Sequence, residues 1–391
     1  YMSINNQLTA MHDEYRTWRV AIVHDWLVVN GGAEKVLSAL LQAFPQADLH
    51  TLVNFLPAKE AGWLQGHRVV TSVLQRMPLA KRFYRHYLPL MPYAVEQFDL
   101  RGYDLVISSS HAVAKGVVTH PGQQHICYCH TPMRYAWDMK EDYLEKARFR
   151  LPLMEAYVRK TLKQLRQWDY FTSNHVDYFI ANSHNVANRI QKYYRRDAQV
   201  LYPPVDTEQF LLNSELRESY YLAASRLVPY KRLDLIIEAF QATPHRRLKV
   251  VGDGPEFERL KLMAREHDHI ELLGYQPDEQ LIHLMSHAQA YIFAADEDFG
   301  ILPLEAQACG TPVIAYGKGG ALETVKDISH GDDATGVLFE QQTPESLLAA
   351  LEVFETQHFQ PRACRQQAEQ FSYAHFWQRL HALLDEVKSA K

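Results

Sequence analysis

The sequence predicts an α/β protein of two doubly wound parallel-sheet domains that face each other across a cleft. Three observations carry that expectation. The chain has 391 residues, and at about 150 residues per domain this gives two to three domains. Short apolar runs bounded by turn residues alternate with helical patterns along the whole chain, which is the signature of βαβ units and a parallel sheet. A proline pair, Pro203 and Pro204, divides the chain into two stretches, each long enough for its own sheet.

The strand candidates are, in order, Val20–His24, Asp104–Ser108, His125–Cys129 and Tyr178–Ala181, then Tyr220–Ala224, Leu248–Val251, Ile270–Leu273, Ala290–Ala294 and Pro312–Ala315. Their near-continuous apolar character suits a sheet covered on both faces, where no residue meets water. Crossovers between parallel neighbours are right-handed, which restricts the topology. Leu201–Asp206 reads as an extended connector, since two prolines deny it helix and sheet interior. The expected division is an N-terminal domain over 1–205, a C-terminal domain over 206–365, and a helical segment over 366–391 that packs back on the N-terminal domain. Open α/β sheets bind ligands outside the carboxyl ends of their strands, so the cleft is the expected active site.

Composition excludes several function classes. Hydrophobic residues at 47% and charged residues at 22% supply buried cores and leave no case for global disorder. A net charge of −5 argues against a nucleic-acid coat. Cys127, Cys129, Cys309 and Cys364 are too few for a disulfide scaffold and lack zinc-site spacing, so they read as buried reduced thiols. No run reaches the roughly 18 apolar residues of a membrane-spanning helix. The segment from Tyr1 to Arg16 is polar and does not read as a secretory signal. A soluble, cytoplasmic protein is the expectation.

The chemistry-bearing signals are densest in the second half. Arg226 and Lys231 fall in the loop after the first strand of that domain. A guanidinium fork and a mobile ammonium together suit a diphosphate, although two solvated surface cations would look the same. Gly252 and Gly254 follow the next strand and precede a helix, where backbone can approach an anion. A bare βα turn explains them equally well, and Phe257 stands where a dinucleotide fingerprint needs its third glycine. Glu297, Phe299, Gly300, Ile301 and Glu305 form the third element. Gly300 and Ile301 offer amides at a helix start, Glu305 can accept from a ribose diol, and Glu297 can hold sugar hydroxyls. A lone Glu305 in the apolar run around Leu302, Leu304 and Ala306 would be costly without partners. The acidic triplet at 296–298 also admits a Mg²⁺ reading. It is set aside, because the cations and helix start already neutralise phosphate; no metal is expected.

In the first half, Gly31 and Gly32 precede an amphipathic helix with Val36, Leu37, Leu40 and Leu41. They read either as a phosphate or acceptor approach or as a flexible turn. His130, at the carboxyl end of its strand, is placed to polarise a reacting centre; with 20 histidines in the chain, structural roles are the common alternative. Two stretches mix cations with large apolar side chains. One carries Arg76, Lys81, Arg82 and Arg85 with Met77, Leu79, Leu88, Leu90 and Met91; the other carries Arg148, Arg150, Arg159, Lys160, Lys163, Arg166 and Trp168. Each reads either as a surface meeting anionic lipid or as a solvated helix face.

Taken together, Gly31-Gly32, His130, the Pro203–Asp206 connector, Arg226 with Lys231, Gly252 to Pro255, and Glu297 with Glu305 seven residues between resemble glycosyltransferase family 4, retaining enzymes of GT-B fold with two Rossmann-like domains. His130–Asp138 looks more specifically like bacterial mannosyltransferases of O-antigen and exopolysaccharide assembly. The resemblance implies that Arg226 and Lys231 hold a donor diphosphate, Glu305 the ribose, and Glu297 with the Phe299–Ile301 backbone the transferred sugar and phosphate. His130 would lie near the anomeric carbon or sugar O6, and Gly31-Gly32 near phosphate or acceptor. It implies transfer with retention, no metal or other cofactor, and domain closure that excludes water. The expected reaction moves a hexose, mannose from GDP-mannose, to a glycan or polyprenyl-linked acceptor in bacterial surface polysaccharide synthesis, with peripheral contact at the inner face of an anionic membrane. A nucleotide-sugar 2-epimerase and a non-catalytic nucleotide-sugar or glycan binder are the alternatives; a nucleic-acid partner is not expected.

Overall fold

A computed structural model of the chain describes residues 2–137, 152–213 and 216–389. It divides into two compact units, Tyr1–Pro203 with Phe376–Lys391, and Pro204–His375. The first unit holds β1 (Val20–His24), β2 (Asp48–Thr51), β3 (Val69–Thr71), β4 (Leu105–Ser110), β5 (Gln124–Cys129), β6 (Tyr178–Ala181) and β7 (Ala198–Val200). They form one parallel sheet in the order β3-β2-β1-β4-β5-β6-β7. The second unit holds β8 (Tyr221–Ala224), β9 (Leu248–Val251), β10 (Ile270–Gly274), β11 (Tyr291–Phe293), β12 (Val313–Tyr316) and β13 (Gly336–Phe339). Its parallel sheet runs β10-β9-β8-β11-β12-β13. Strand order reverses between β1 and β4 in one sheet and between β8 and β11 in the other. Those reversals are the switch points beside which open α/β sheets carry their ligands.

All nine expected strands are present, with ends shifted by one or two residues. β1, β4, β5, β8 and β11 are buried at every position, which is why their apolar runs are continuous. β2, β3, β7 and β13 were not expected. β3 and β7 lie at the edges, three residues each, with no fully buried position. β2 carries Asp48 and His50, and the four-residue β13 follows a polar loop. None of these has a long apolar run to find.

Helices cover the sheets with faces spaced by three and four. Gly32–Ala43 buries Val36, Leu37, Leu40 and Leu41; His184–Tyr194 starts on Ser183, whose hydroxyl accepts from Val186 N, and buries Val186, Ile190 and Tyr194. Each such Leu or Ile contributes roughly 1.5–3 kcal/mol by leaving water. The C-terminal segment is two helices, Pro361–Glu369 and Tyr373–Ser389. The chain breaks between them where Ser372 bridges Val205. From Phe376 onward the last helix belongs to the first unit, where Trp377 Nε1 donates to Ala39 O at 3.0 Å.

The first basic stretch departs from the apolar wedge expected of it. Met91 is buried, and Met77 and Leu88 pack on the core, so Leu79, Leu90, Tyr93 and Val73 are its exposed apolar side chains. Lys81, Arg82 and Arg85 are exposed beside them. In the second stretch, Arg148 and Arg150 lie outside the described residues; Arg159, Lys160 and Lys163 are exposed near Met154 and Tyr157 on the helix Pro152–Thr172. Among the described residues no helix is long and apolar enough to cross a membrane.

That helix is anchored by a buried ion pair. Lys115 Nζ lies 2.8 Å from Asp169 Oδ1 and donates to Asp169 O and Thr172 Oγ1. Trp137 Nε1 and Tyr194 OH donate to Asp169 Oδ2. Removing the cation leaves a buried carboxylate uncompensated. Lys115→Ala is therefore expected to cost about 3 kcal/mol in urea unfolding, and an unchanged unfolding curve would show that the pair anchors nothing.

Candidate active site

In the second unit the loops leaving β8 and β11 flank the switch point, and they carry the two residues most closely joined. Lys231, on the short 3₁₀ turn Pro229–Lys231, forms an ion pair with Glu297 Oε1 in the loop after β11. Their side chains are only 12% and 17% exposed. Lys231 Nζ also lies over the Tyr230 ring at 5.5 Å and the Phe293 ring at 6.0 Å. Burial in this apolar surround pulls the ammonium down to about 8. Arg226 is exposed in the same β8 loop and pairs with no carboxylate among the described residues.

Glycines hold these loops in place. A Cβ on Gly252 would stand 1.8 Å from Ser225 O, and one on Gly254 would stand 2.4 Å from Leu227 O. Both glycines have positive φ, at 137° and 157°. The backbone they admit is thus that of the Arg226 loop itself, which they seat against the turn after β9. Gly300, with φ of 86°, opens the helix Ile301–Ala308. The first amides of that helix have no intrahelical partner, so the Gly300–Ile301 end presents positive charge. Phe299 is buried and packs on Phe371 at 5.7 Å. Glu305 lies in the same helix, 1% exposed. Burial, and then the Glu305 charge, push the Cys309 thiol up to about 12.

Two acids of the triplet are engaged by lysines, with Asp296 Oδ2 at 3.2 Å from Lys318 Nζ and Glu297 on Lys231. Among the described residues, the acid and histidine side chains that converge closely enough for a metal are Glu14, His381 and Asp385, in the other unit. Glu14 there is already bonded to His381 and Lys388.

In the first unit, the carboxyl ends of β1, β4 and β5 bring together His24, Ser109 and His130. His130 Nε2 lies 2.8 Å from Ser109 Oγ, and Ser109 Oγ lies 3.1 Å from His24 Nδ1. His24 Nε2 stands 3.6 Å from Glu34 Oε1. Burial, then the charges of His111 and His24, hold His130 well below the usual imidazole range, so it is neutral near pH 7. At the helix start beside them, Gly31 N donates to Glu34 Oε2 at 3.0 Å. The Gly31 amide is thus engaged by a carboxylate of the chain itself. Burial raises the Glu34 carboxyl, but the hydrogen bond and charge of His24 outweigh it and the net shift is downward. Asp138, the end of the His130 motif, lies outside the described residues.

Sequence reasoning missed Gly319 and Gly320. A Cβ on Gly320 would meet Phe299 O at 2.1 Å, and one on Gly319 would meet Glu297 O at 2.2 Å; Gly320 N donates to Glu297 O at 2.8 Å. The signal was available: Gly317, Gly319 and Gly320 follow β12 directly. Ser109, His24 and Glu34 gave no signal, because their meaning lies in a juxtaposition of three separate segments.

Two doubly wound sheets in one chain, each with its polar groups at the loops beside its switch point, define the GT-B class. The chain belongs to glycosyltransferase family 4: the Glycosyltransferase Family 4 model matches residues 30–209 and the Glycosyl transferases group 1 model matches 205–371. It is similar to the GDP-mannose-dependent alpha-(1-6)-phosphatidylinositol monomannoside mannosyltransferase of Mycolicibacterium smegmatis, 36% identical over 162 residues, covering 34% of this chain and 42% of that protein. The alpha-1,3/1,6-mannosyltransferase ALG2 of Kluyveromyces lactis is 26% identical over 323 residues, covering 68% and 60%. In both cases the match spans less than two thirds of the relative's length. Among solved structures, sucrose-phosphate synthase from Thermosynechococcus elongatus superposes with a TM-score of 0.70 at 16% identity, over 95% of this chain and 100% of that one. Anabaena HepE in complex with UDP-glucose gives 0.66 at 18%, over 94% and 99%. At these identities the likeness is one of fold.

The packing of Gly320 on Phe299 carries a prediction. Gly320→Ala must displace the backbone that presents Glu297 and Gly300, and overpacking of this kind costs about 1–3 kcal/mol. A lowered thermal midpoint is expected, and a variant melting like the parent would contradict the contact.

Proposed function

We propose that this chain is a retaining glycosyltransferase that moves mannose from GDP-mannose to a glycan or polyprenyl-linked acceptor in bacterial surface polysaccharide synthesis. The observation that carries the reading is the Lys231–Glu297 pair beside the β8/β11 switch point. A nucleotide sugar offers both partners something better. Its diphosphate takes the ammonium and its sugar hydroxyls take the carboxylate, so one ligand satisfies both side chains. Arg226 supplies a second cation, and the Gly300–Ile301 amides receive phosphate oxygen. Glu305 holds the ribose. Mannose is supported by the names of both relatives described above, and GDP by the name of the first.

In this reading the protein contributes position and electrostatics. Departure of the nucleoside diphosphate builds negative charge on phosphate, and Lys231, Arg226 and a helix N-terminus are fixed where that charge develops. The leaving phosphate receives the acceptor proton on the same face of the sugar, which gives retention. Neutral His130 offers a hydrogen bond to the sugar without adding charge. The cations do the neutralising that a divalent metal would otherwise do, so no metal is required. The exposed Leu79, Leu90 and Tyr93 among Lys81, Arg82 and Arg85 support peripheral contact with anionic lipid, where a polyprenyl carrier resides.

Two measurements test this. Mass spectrometry of GDP-mannose incubated with a mannosylated acceptor is expected to show an acceptor heavier by one hexose. An isomerised nucleotide sugar with no such product would favour the epimerase, and tight UDP-sugar binding with no GDP-mannose binding would overturn the donor. The second is a pH profile. A lysine grips phosphate only while protonated, below its pKa, so kcat/KM for donor should fall as pH rises through about 8, the value burial gives Lys231. Lys231→Arg should carry activity further up the pH scale, because guanidinium stays charged. A fall that persists unshifted in Lys231→Arg would assign the titration to another group, and undiminished donor binding by Lys231→Ala would remove Lys231 from the diphosphate site.

A further inference from the structure

At the carboxyl ends of β1, β4 and β5 one hydroxyl lies between two imidazoles, and the proposed reaction gives it no role. His24 and Ser109 are register partners on β1 and β4. His130 follows β5, its amide donating to Ser110 O at 2.8 Å. Strand pairing thus sets Ser109 Oγ 3.1 Å from His24 Nδ1 and 2.8 Å from His130 Nε2. Asp25, next to His24, accepts the amides of His111, Ala112, Val113 and Ala114, which fixes the chain just beyond Ser109. His24 and Ser109 are fully buried, and His130 is 8% exposed.

A hydroxyl has one proton to donate. Ser109 Oγ makes no third hydrogen bond among the described residues, and a buried O–H without an acceptor is costly. Its proton therefore goes to one ring, and the other ring donates to its oxygen. Glu34 chooses between the two arrangements. Its Oε2 is taken by Gly31 N at 3.0 Å, and its Oε1 stands 3.6 Å from His24 Nε2. That separation is too long for a hydrogen bond, yet a carboxylate oxygen so near attracts a proton on Nε2 and repels a lone pair there. In mildly alkaline solution an imidazole ordinarily carries one proton. With that proton on Nε2, His24 accepts from Ser109 through its bare Nδ1, and Ser109 Oγ accepts from His130 Nε2. The remaining nitrogen of His130, Nδ1, then carries a lone pair, and it makes no hydrogen bond among the described residues.

Resting on the glycosyltransferase reading, we infer that Ser109, oriented by His24 and Glu34, keeps the His130 proton on Nε2, so that Nδ1 accepts a hydrogen bond from a hydroxyl of the transferred sugar. Ser109 and His24 are positioning residues that act through His130. Every proton stays on its own atom. A lone pair at Nδ1 also favours a hydroxyl, which donates, over a phosphate oxygen, which needs a donor.

The test is long-range ¹H–¹⁵N correlation at pH 8 on the full chain labelled at histidine ring nitrogens. His24 and His130 are assigned by the signals lost in His24→Phe and His130→Phe, or in the corresponding Gln variants. The expected spectrum, without ligand, shows both rings protonated on Nε2 alone. In Ser109→Ala the His130 ring should populate both tautomers, and Ser109→Thr, which keeps the hydroxyl, should restore the single one. Calorimetry on the same proteins is expected to show Ser109→Ala weakening GDP-mannose about three- to tenfold while leaving GDP unchanged, with recovery in Ser109→Thr. A proton on His130 Nδ1 in the parent, a single Nε2 tautomer surviving in Ser109→Ala, or equal GDP-mannose affinity in parent and Ser109→Ala would overturn the inference. Should Ser109→Ala fail to fold, the parent spectrum alone decides the polarity of the ring. Failure of the parent to bind any nucleotide would count against the transferase reading itself, while the spectrum recorded without ligand decides the arrangement around Ser109.

Discussion

The Lys231–Glu297 ion pair joins the two loops that leave β8 and β11, and the organisation of the second unit follows from bringing them together. An ammonium held among Tyr230, Phe293 and a carboxylate has lost most of its water. Such a pair repays its desolvation poorly as a source of stability. In the proposed function they are two ligand-directed groups that neutralise each other until a ligand separates them. The glycines serve this arrangement, since Gly252 and Gly254 seat the β8 loop while Gly319 and Gly320 seat the β11 loop. Each removes a Cβ that would otherwise force the backbone apart.

The first unit is built on the opposite electrostatic plan. The carboxyl ends of β1, β4 and β5 carry His24, His111 and His130, with the carboxylates of Asp25 and Glu34 close to His111 and His24. Burial lowers the pKa of His111 and of His130, and the Gly31 amide and the amides of His111 to Ala114 are taken by acidic side chains of the chain itself. Beside its switch point the second sheet gathers cations and a helix start, whereas the first gathers imidazoles and carboxylates.

Legibility of this protein in its sequence follows burial. Strands covered on both faces, such as β1, β4 and β5, announce themselves by unbroken apolar runs, whereas β3 and β7 at the sheet edges have three residues each and no such run. Lys231, Glu297, Gly300 and Glu305 were visible because their spacing follows a strand and opens a helix. Asp25, Ser109 and His111 were not, since each is an ordinary polar residue until parallel pairing sets β1 beside β4. The basic stretch from Arg76 to Met91 shows a different limit. Alternation of cations with apolar side chains could not tell that Met91 turns inward while Leu79 and Leu90 turn outward.

The central claim is that one ligand draws on Lys231 through phosphate and on Glu297 through sugar. Calorimetric titration of GDP and of GDP-mannose into the parent, Lys231→Met and Glu297→Gln separates the two. The account predicts that Lys231→Met weakens both ligands by a similar factor of about ten or more, and that Glu297→Gln weakens GDP-mannose while leaving GDP undiminished. Equal weakening of both ligands by Glu297→Gln, or indifference of both to Lys231→Met, would contradict it.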